Sequence, residues 1–226
     1  VKAYDWNGLT LLPSRAVWRA QTRDLFVADV HLGKAAAFRA VGIAAPSGTT
    51  RENLARLDAL IDALDPRRLI VLGDLFHARA AFAGPTLEEA CAWRARRAGL
   101  AITLVTGNHD ARAGRPPVAL GLDLVPDPIE IDGLECRHHP LDAPGEGPPA
   151  LAGHWHPVAR LHGPGHDRLR LPCFHMRGRQ LVLPAFGEFT GGARVEADRE
   201  TALAAVAGDR LIAIPRLPSA RLGMRR

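Results

Sequence analysis

Along the first half of the chain short apolar runs alternate with amphipathic stretches, the pattern of strands buried under helices. Leu25 to Ala28 reads as a buried strand. Ser47 to Leu64 then sets Leu54, Leu57, Ile61 and Leu64 on one helical face, and Asp65-Pro66 stops it. Leu69 to Leu72 is a second buried strand. Thr86 with Glu89 three residues later predicts a capping box for a helix through Ala98, with Gly99 as terminator. Ile102 to Val105 is a third strand. The order is strand, helix, strand, helix, strand, and each strand ends in a polar string.

From about residue 122 the runs shorten and hairpin punctuation appears: Asp132-Gly133 between Ile129–Ile131 and Leu134–Cys136, and Gly208-Asp209 before Leu211–Ile214. Antiparallel pairing is predicted there. Asp142 to Pro149 is a short loop, too small to link to a second domain. Residues 1–215 therefore read as one domain, two sheets face to face with helices outside, and 216–226 as a loose C-terminal tail.

Composition narrows the class. The 226 residues are 47% hydrophobic and 23% charged, which excludes disorder, collagen and a coiled coil. No apolar stretch approaches the ~18 residues of a membrane span, and the N-terminal VKAYDWNG lacks the layout of a secretory signal. A cytoplasmic address without a membrane partner is expected. Cys91, Cys136 and Cys173 have no paired spacing and read as reduced thiols. Lys+Arg of 29 against Asp+Glu of 24 leaves +5, and only Lys2 and Lys34 are lysines. That balance favours a polyanionic partner whose phosphates a planar guanidinium grips; a GC-rich genome accounts for the arginines equally well.

The histidines change the picture. They fall in ordered strings: Asp29-x-His31, Gly73-Asp74-x-x-His77, Gly107-Asn108-His109-Asp110, His138, and Gly153-His154-x-His156. The first three lie where strands end and loops begin, the edge at which open α/β sheets bind ligands. On extended backbone residues i and i+2 share a side, so Asp29 with His31, and His154 with His156, are each predicted to converge on one point. Carboxylate, imidazole and amide donors suit Mn²⁺, Fe or Zn²⁺. The set is too large for one ion. A carboxylate bridging two ions roughly 3.5–4 Å apart is the economical arrangement, and it suits in-line phosphoryl chemistry.

The ordered set DxH, GDxxH, GNHD, a lone His and GHxH resembles the calcineurin-like metallophosphoesterase superfamily. The strings VADVHLGKAAAFRAVG, LGDLFHARA, LAGHWHPVARL, LPCFHM and LPAFGEFTGG are similar to its bacterial ligase-associated branch, PdeM-like DNA phosphodiesterases found beside a helicase, an exonuclease and an ATP-dependent DNA ligase. The resemblance implies an α/β fold, a four-layer αββα sandwich of two mixed β-sheets flanked by helices. It implies two divalent ions, Mn²⁺ first, with Asp29, His31 and His156 on one, Asp74 bridging, and Asn108, His138 and His154 on the other. His138 is preferred over its neighbour His139 because the family ligand closes a strand. His109 would face the scissile phosphate with Asp110 orienting it, and His77 resembles a second active-site histidine of the nuclease branch.

Other residues near the strings have two readings each. Phe76, Trp155 and Phe186 are core residues or stacking platforms for bases, and Cys136 is a buried spectator thiol or a ligand. Arg79 and Arg112 reach a substrate phosphate or lie solvated on the surface. The activity implied is hydrolysis of DNA phosphodiester bonds by in-line attack of a hydroxide held between the ions, an endonuclease acting on single-stranded or end-proximal segments of DNA in repair. The fifteen residues between His138 and His154 are expected to be a loop with no room for a capping domain, leaving the site open to a polymer. Two alternatives stand beside it: a hydrolase of small phosphoesters such as nucleotides or sugar-nucleotide pyrophosphates, and a catalytically weak metal-binding scaffold for repair partners. A scaffold would have no need of a non-ligating His109.

Overall fold

The computed structural model describes residues 4–162 and 168–217, so the expected tail lies, from residue 218 onward, outside the described residues. The chain opens with strands β1 (Tyr4–Trp6), β2 (Leu9–Leu12), β3 (Ala16–Arg19) and β4 (Asp24–Val27), an antiparallel meander. Its first three strands were not anticipated, although Asn7-Gly8 is a hairpin signal and both residues have positive φ. Helices α1 (Lys34–Ala40) and α2 (Thr49–Leu64) follow, then β5 (Arg68–Leu72), α3 (Gly84–Arg96), β6 (Ala101–Val105), α4 (Asn108–Ala113) and β7 (Asp123–Val125). Strands β4 to β7 pair in parallel, completing a seven-stranded sheet in the order β1-β2-β3-β4-β5-β6-β7.

The second sheet uses β8 (Ile129–Ile131), β9 (Leu134–Cys136), β10 (Ala150–Ala152), β11 (Val158–His162), β12 (Arg168–Arg177), β13 (Gln180–Val182), β14 (Thr201–Ala207) and β15 (Arg210–Ile214). Both expected hairpins form, with Asp132 and Gly133 at positive φ in the first. The expectation of antiparallel pairing after about residue 122 fails at β7, which is parallel to β6, and at β10, which pairs in parallel with both β9 and β13. The long connection from β9 to β10 carries the chain back to the same end, which a tight hairpin could not do. Strand β10 lies between His138 and His154, so that segment is part loop and part strand.

Two mixed sheets with flanking helices are therefore the architecture. Between the sheets lie Leu9, Leu11, Phe26, Ile70 and Leu72 from one side and Leu151, Phe174, Leu181 and Leu183 from the other. On the opposite face of the first sheet Leu25, Leu69, Val71, Ile102 and Leu104 pack under Leu54, Leu57 and Ile61 of α2 and Trp93 of α3. Leu64, also on the expected α2 stripe, is partly buried at its edge. The outer face of the second sheet, Cys173, Leu203 and Ala205, is covered by Ala159 of β11 with Val195 and Ala197. A charged clamp ties the sheets at one end. Buried Asp24 takes Arg19 and Arg68, and both arginines reach Asp132 in the β8–β9 turn.

Helix α3 corrects one reading. It starts two residues before Thr86, with Pro85 in its first turn and no side-chain cap, so the capping box does not form. Thr86 is instead buried, its methyl group close to Gly33. The helix ends at Arg96, short of the expected Ala98.

Candidate metal centre

Six loops follow the C-terminal ends of parallel strands: those after β4, β5 and β6 in the first sheet and after β9, β10 and β13 in the second. Parallel pairing places such loops at one edge, and here they are laced together. The N–H groups of Asp29 and His31 donate to the carbonyls of Gly73 and Asp74 (3.1 and 2.9 Å), and Gly153 N–H donates to the His138 carbonyl (3.1 Å). Across the sheets, Phe186 and Gly187 donate to the carbonyls of Ala28 and Asp29 (2.8 and 3.1 Å).

Asp29, His31, Asp74, His154 and His156 all have left-handed backbone, φ between 49° and 69°. The expected extended i, i+2 geometry is therefore wrong for both pairs, and it is the turn that aims the side chains. Asp29 and His31 still converge, but His154 and His156 separate. His156 Nε2 lies 3.2 Å from Asp29 Oδ1 and 3.4 Å from His31 Nε2. His154 Nδ1 lies instead 3.1 Å from His138 Nε2, which is 3.0 Å from Asn108 Oδ1. Asp74 Oδ2 sits between the groups, 3.9 Å from His31 Nε2 and 3.5 Å from His138 Nε2.

Each carboxylate divides its oxygens. Asp29 Oδ2 accepts the His154 N–H and Asp74 Oδ1 accepts the His109 N–H, both at 2.8 Å, which leaves Asp29 Oδ1 and Asp74 Oδ2 facing the imidazoles. Asp29 Oδ1 is buried and accepts no hydrogen bond. His138 Nδ1 bonds to the Leu72 carbonyl at 3.1 Å and His156 Nδ1 to the Thr190 carbonyl at 3.2 Å. A ring nitrogen on a carbonyl must be the protonated one, so Nε2 of each carries a lone pair. Both lone pairs face acceptor oxygens, His156 Nε2 toward Asp29 Oδ1 and His138 Nε2 toward Asn108 Oδ1 and Asp74 Oδ2, the situation a cation resolves and the carbonyl-anchored arrangement of ligating histidines. These residues fit a metal site.

The electrostatics agree. Burial, and then the Lys34 ammonium and neighbouring imidazoles, lower the pKa of His31 and keep it neutral, the form that ligates. Burial also lowers His154. At His156 burial opposes protonation, but the Asp29 carboxylate outweighs it and raises the pKa, so Nε2 attracts a proton or a metal ion.

Of the two adjacent histidines, His138 is fully buried against Asn108 and Asp74, whereas His139 is half exposed with Nδ1 2.7 Å from Asp127. Asp127 was not anticipated; it also accepts the N–H of His138 (3.0 Å) and so seats the loop. Gly73 and Gly107 follow from the same crowding, because a Cβ on Gly73 would collide with the His138 ring and one on Gly107 with Asp74.

His109 makes no hydrogen bond to the Asp110 carboxylate that was expected to orient it. Its Nδ1 lies 2.7 Å from the His77 carbonyl, and its ring stacks on His77 with centroids 4.6 Å apart. Asp110 instead accepts the N–H groups of Phe76 (3.0 Å) and Gly107 (3.1 Å), fastening two loops. Burial pushes its carboxyl up to about 6 despite those bonds. Burial, with His109 and Lys34, brings the His77 imidazole down to about 4, so that ring is neutral at pH 7. Arg79 and Arg112 are exposed on the turn after His77 and on α4. Phe76 and Phe186 are core, Phe186 under the Arg56 guanidinium at 4.4 Å. Trp155 sits edge-on to His175. Cys136 is buried, its thiol pushed up to about 12 by desolvation.

Sequence reading also missed Lys34 and Asn53. Lys34 Nζ donates to the Thr190 carbonyl at 3.3 Å, and burial lowers its pKa against the pull of Asp29 and Asp74. Its rarity in an arginine-rich chain was the available signal. Buried Asn53 joins the Val30 carbonyl to the Glu188 N–H.

Among known proteins, the crystal structure of Pseudomonas putida nuclease MPE is similar at 40% identity and a TM-score of 0.80, over 93% of this chain and 99% of that one. YfcE, a phosphoesterase from E. coli, aligns at 17% identity and a TM-score of 0.42, over 85% of this chain and 99% of that one. No curated protein matches. The model of the calcineurin-like phosphoesterase family matches residues 23–180, a span that holds every candidate ligand. With that match over most of its length, the chain belongs to the calcineurin-like phosphoesterase family and is a metal-dependent phosphoesterase.

Proposed function

We propose that this protein is a dinuclear phosphodiesterase that cleaves DNA, an endonuclease acting on single strands. The observation that carries the two-metal reading is the position of Asp74 Oδ2, within 3.9 Å of a ligand nitrogen in each of two histidine groups. Asp29, His31 and His156 would hold one ion, Asn108, His138 and His154 the other, and Asp74 would serve both. Carboxylate, imidazole and amide donors suit Mn²⁺, with Fe and Zn²⁺ as competitors. Bound divalent ions supply Lewis acidity toward phosphoryl oxygens and make water a nucleophile near neutral pH.

The chain's own residues do the rest. His109 is tied to Asp74 through its N–H and to the His77 carbonyl through Nδ1, so its Nε2 is the ring atom left to meet substrate. There a protonated imidazole gives a proton to the leaving alkoxide. Neutral His77 stacks behind it and holds its plane, and Asp110 fixes the loops that carry both. Arg79 and Arg112 offer guanidinium groups to flanking phosphates, and the net charge of +5 favours a polyanion.

A nucleic acid as the substrate is supported by the 40% identity to a nuclease, and DNA in particular by the resemblance to the ligase-associated branch. A place in DNA repair beside a ligase, a helicase and an exonuclease follows from the sequence strings of the ligase-associated branch. The test is Mn²⁺-dependent hydrolysis compared across single-stranded DNA, duplex DNA, RNA and a small phosphodiester. Internal cleavage of single-stranded DNA, fastest of the four, is expected. Turnover confined to the small ester would replace this reading with the small-phosphoester one, and no turnover with metal bound would favour the scaffold.

A further inference from the structure

Phe76 and Phe186 beside the sequence motifs are core, but a different phenylalanine faces outward at the site. Phe189 is 39% exposed, in the loop after β13. Its ring meets Phe38 of α1 edge to face at 5.6 Å, Phe38 meets His77 at 5.7 Å, and His77 stacks on His109 at 4.6 Å. A row of rings therefore runs from the surface to the residue bonded to Asp74.

Phe189 is also held in an unfavourable conformation. Its φ is +61°, the left-handed region that a bulky side chain avoids. The neighbouring Gly191 adopts a similar φ of +75° without that cost. Packing against Phe38 alone does not account for keeping a half-exposed phenyl ring there.

The loop is fastened on both sides of the ring. Arg56 donates to the Phe186 carbonyl (2.8 Å) and to Glu188 (3.0 Å), and Arg15 reaches the same carboxylate (3.1 Å). Asn53 accepts the Glu188 N–H, and Lys34 and His156 both bond the Thr190 carbonyl. Phe189 is thus presented on a rigid support tied directly to a candidate metal ligand. The Lys34 ammonium, 6.0 Å from the Phe38 centroid, adds positive charge beside the shelf.

We propose that Phe189, backed by Phe38, is a stacking shelf for the unpaired base next to the scissile phosphate, with Lys34 facing the adjoining backbone phosphate. This deepens the nuclease reading and rests on it. An exposed ring stacks on any base, so the contact is indifferent to sequence. A duplex keeps its bases stacked and paired and must spend unstacking energy to use the shelf, which selects single strands.

The experiment compares steady-state cleavage of a single-stranded thymidine oligonucleotide with that of a strand of equal length made of abasic residues, in Mn²⁺. The parent should show a KM on the order of tenfold or more lower for the base-bearing strand, within the range of one stacked base. Phe189→Gly, whose backbone prefers the observed φ and which therefore folds at least as easily, should bring the two KM values together by raising that for the base-bearing strand. Phe189→Trp should restore the difference, and Phe189→Leu should not. Equal KM values for both strands in the parent, or an undiminished ratio in Phe189→Gly, would overturn the shelf and leave the nuclease reading standing. A parent that leaves both strands intact while hydrolysing a small phosphodiester would overturn both.

Discussion

The two halves of the metal centre are built differently. Asp29, His31 and His156 come from left-handed turns, each costing on the order of 1–3 kcal/mol, and they are held in the interior: Asp29 is 0% and His31 4% exposed. In the other half Asn108 opens a helix and His138 lies in the loop two residues after β9, and neither has positive φ. Only His154 is turned, and it is exposed. One half is strained, buried and cross-laced by both sheets; the other is relaxed and open on one side. Strain offset by many surrounding bonds gives a preorganised ligand set, whereas an exposed ligand lets solvent compete. The buried half should therefore hold its ion tightly and the open half exchange it.

The largest effect should come from removing what the halves share. Asp74→Ala is expected to lose both ions and all turnover above background, as read by metal analysis of the purified protein; two retained ions would remove Asp74 from the bridge. Next is His109→Ala, which should keep both ions yet lose about 10²–10⁴-fold in turnover, the range of a general acid. An activated nitrophenyl ester should suffer less than DNA, and loss of metal in this variant would make His109 a ligand.

A smaller effect tests the asymmetry itself. A limiting chelator should withdraw one equivalent of metal well before the second, and Asn108→Ala should be purified with about one ion. Simultaneous loss of both equivalents from the parent protein would abolish the distinction. The smallest effect is expected from Asp127→Ala, which frees the backbone of the His138 loop without removing a ligand side chain. Support of this kind is worth about 10–100-fold in metal affinity, and titration should place the loss at the weaker ion alone.

Parallel strands β4, β5 and β6 were legible because each is a short apolar run closed by a polar string, and α2 because its stripe repeats with helical period, whereas three-residue β7 was not. The meander β1–β3 was harder, since three- and four-residue strands carry too few positions for a period to show. Parallel pairing of β10 was not legible at all. A three-residue strand, Ala150–Ala152, has no pattern that distinguishes its neighbours, and its partners β9 and β13 lie on either side of it in sequence.

The sequence by itself determined the chemistry: which carboxylates, imidazoles and amides are present, and that they close strands in a fixed order. Residue types and spacing left their grouping open; the family resemblance implied it, and its physical cause lies only in the tertiary structure. Whether His154 joins His156 or His138 depends on two left-handed turns and on a strand pairing made across the second sheet, and local composition encodes neither. The same holds for Phe189, an unremarked residue in sequence, which a loop tied down by Arg56, Asn53 and Lys34 carries to the mouth of the site. Residue type sets what an atom can do, but long-range hydrogen bonds set which atoms it does it with.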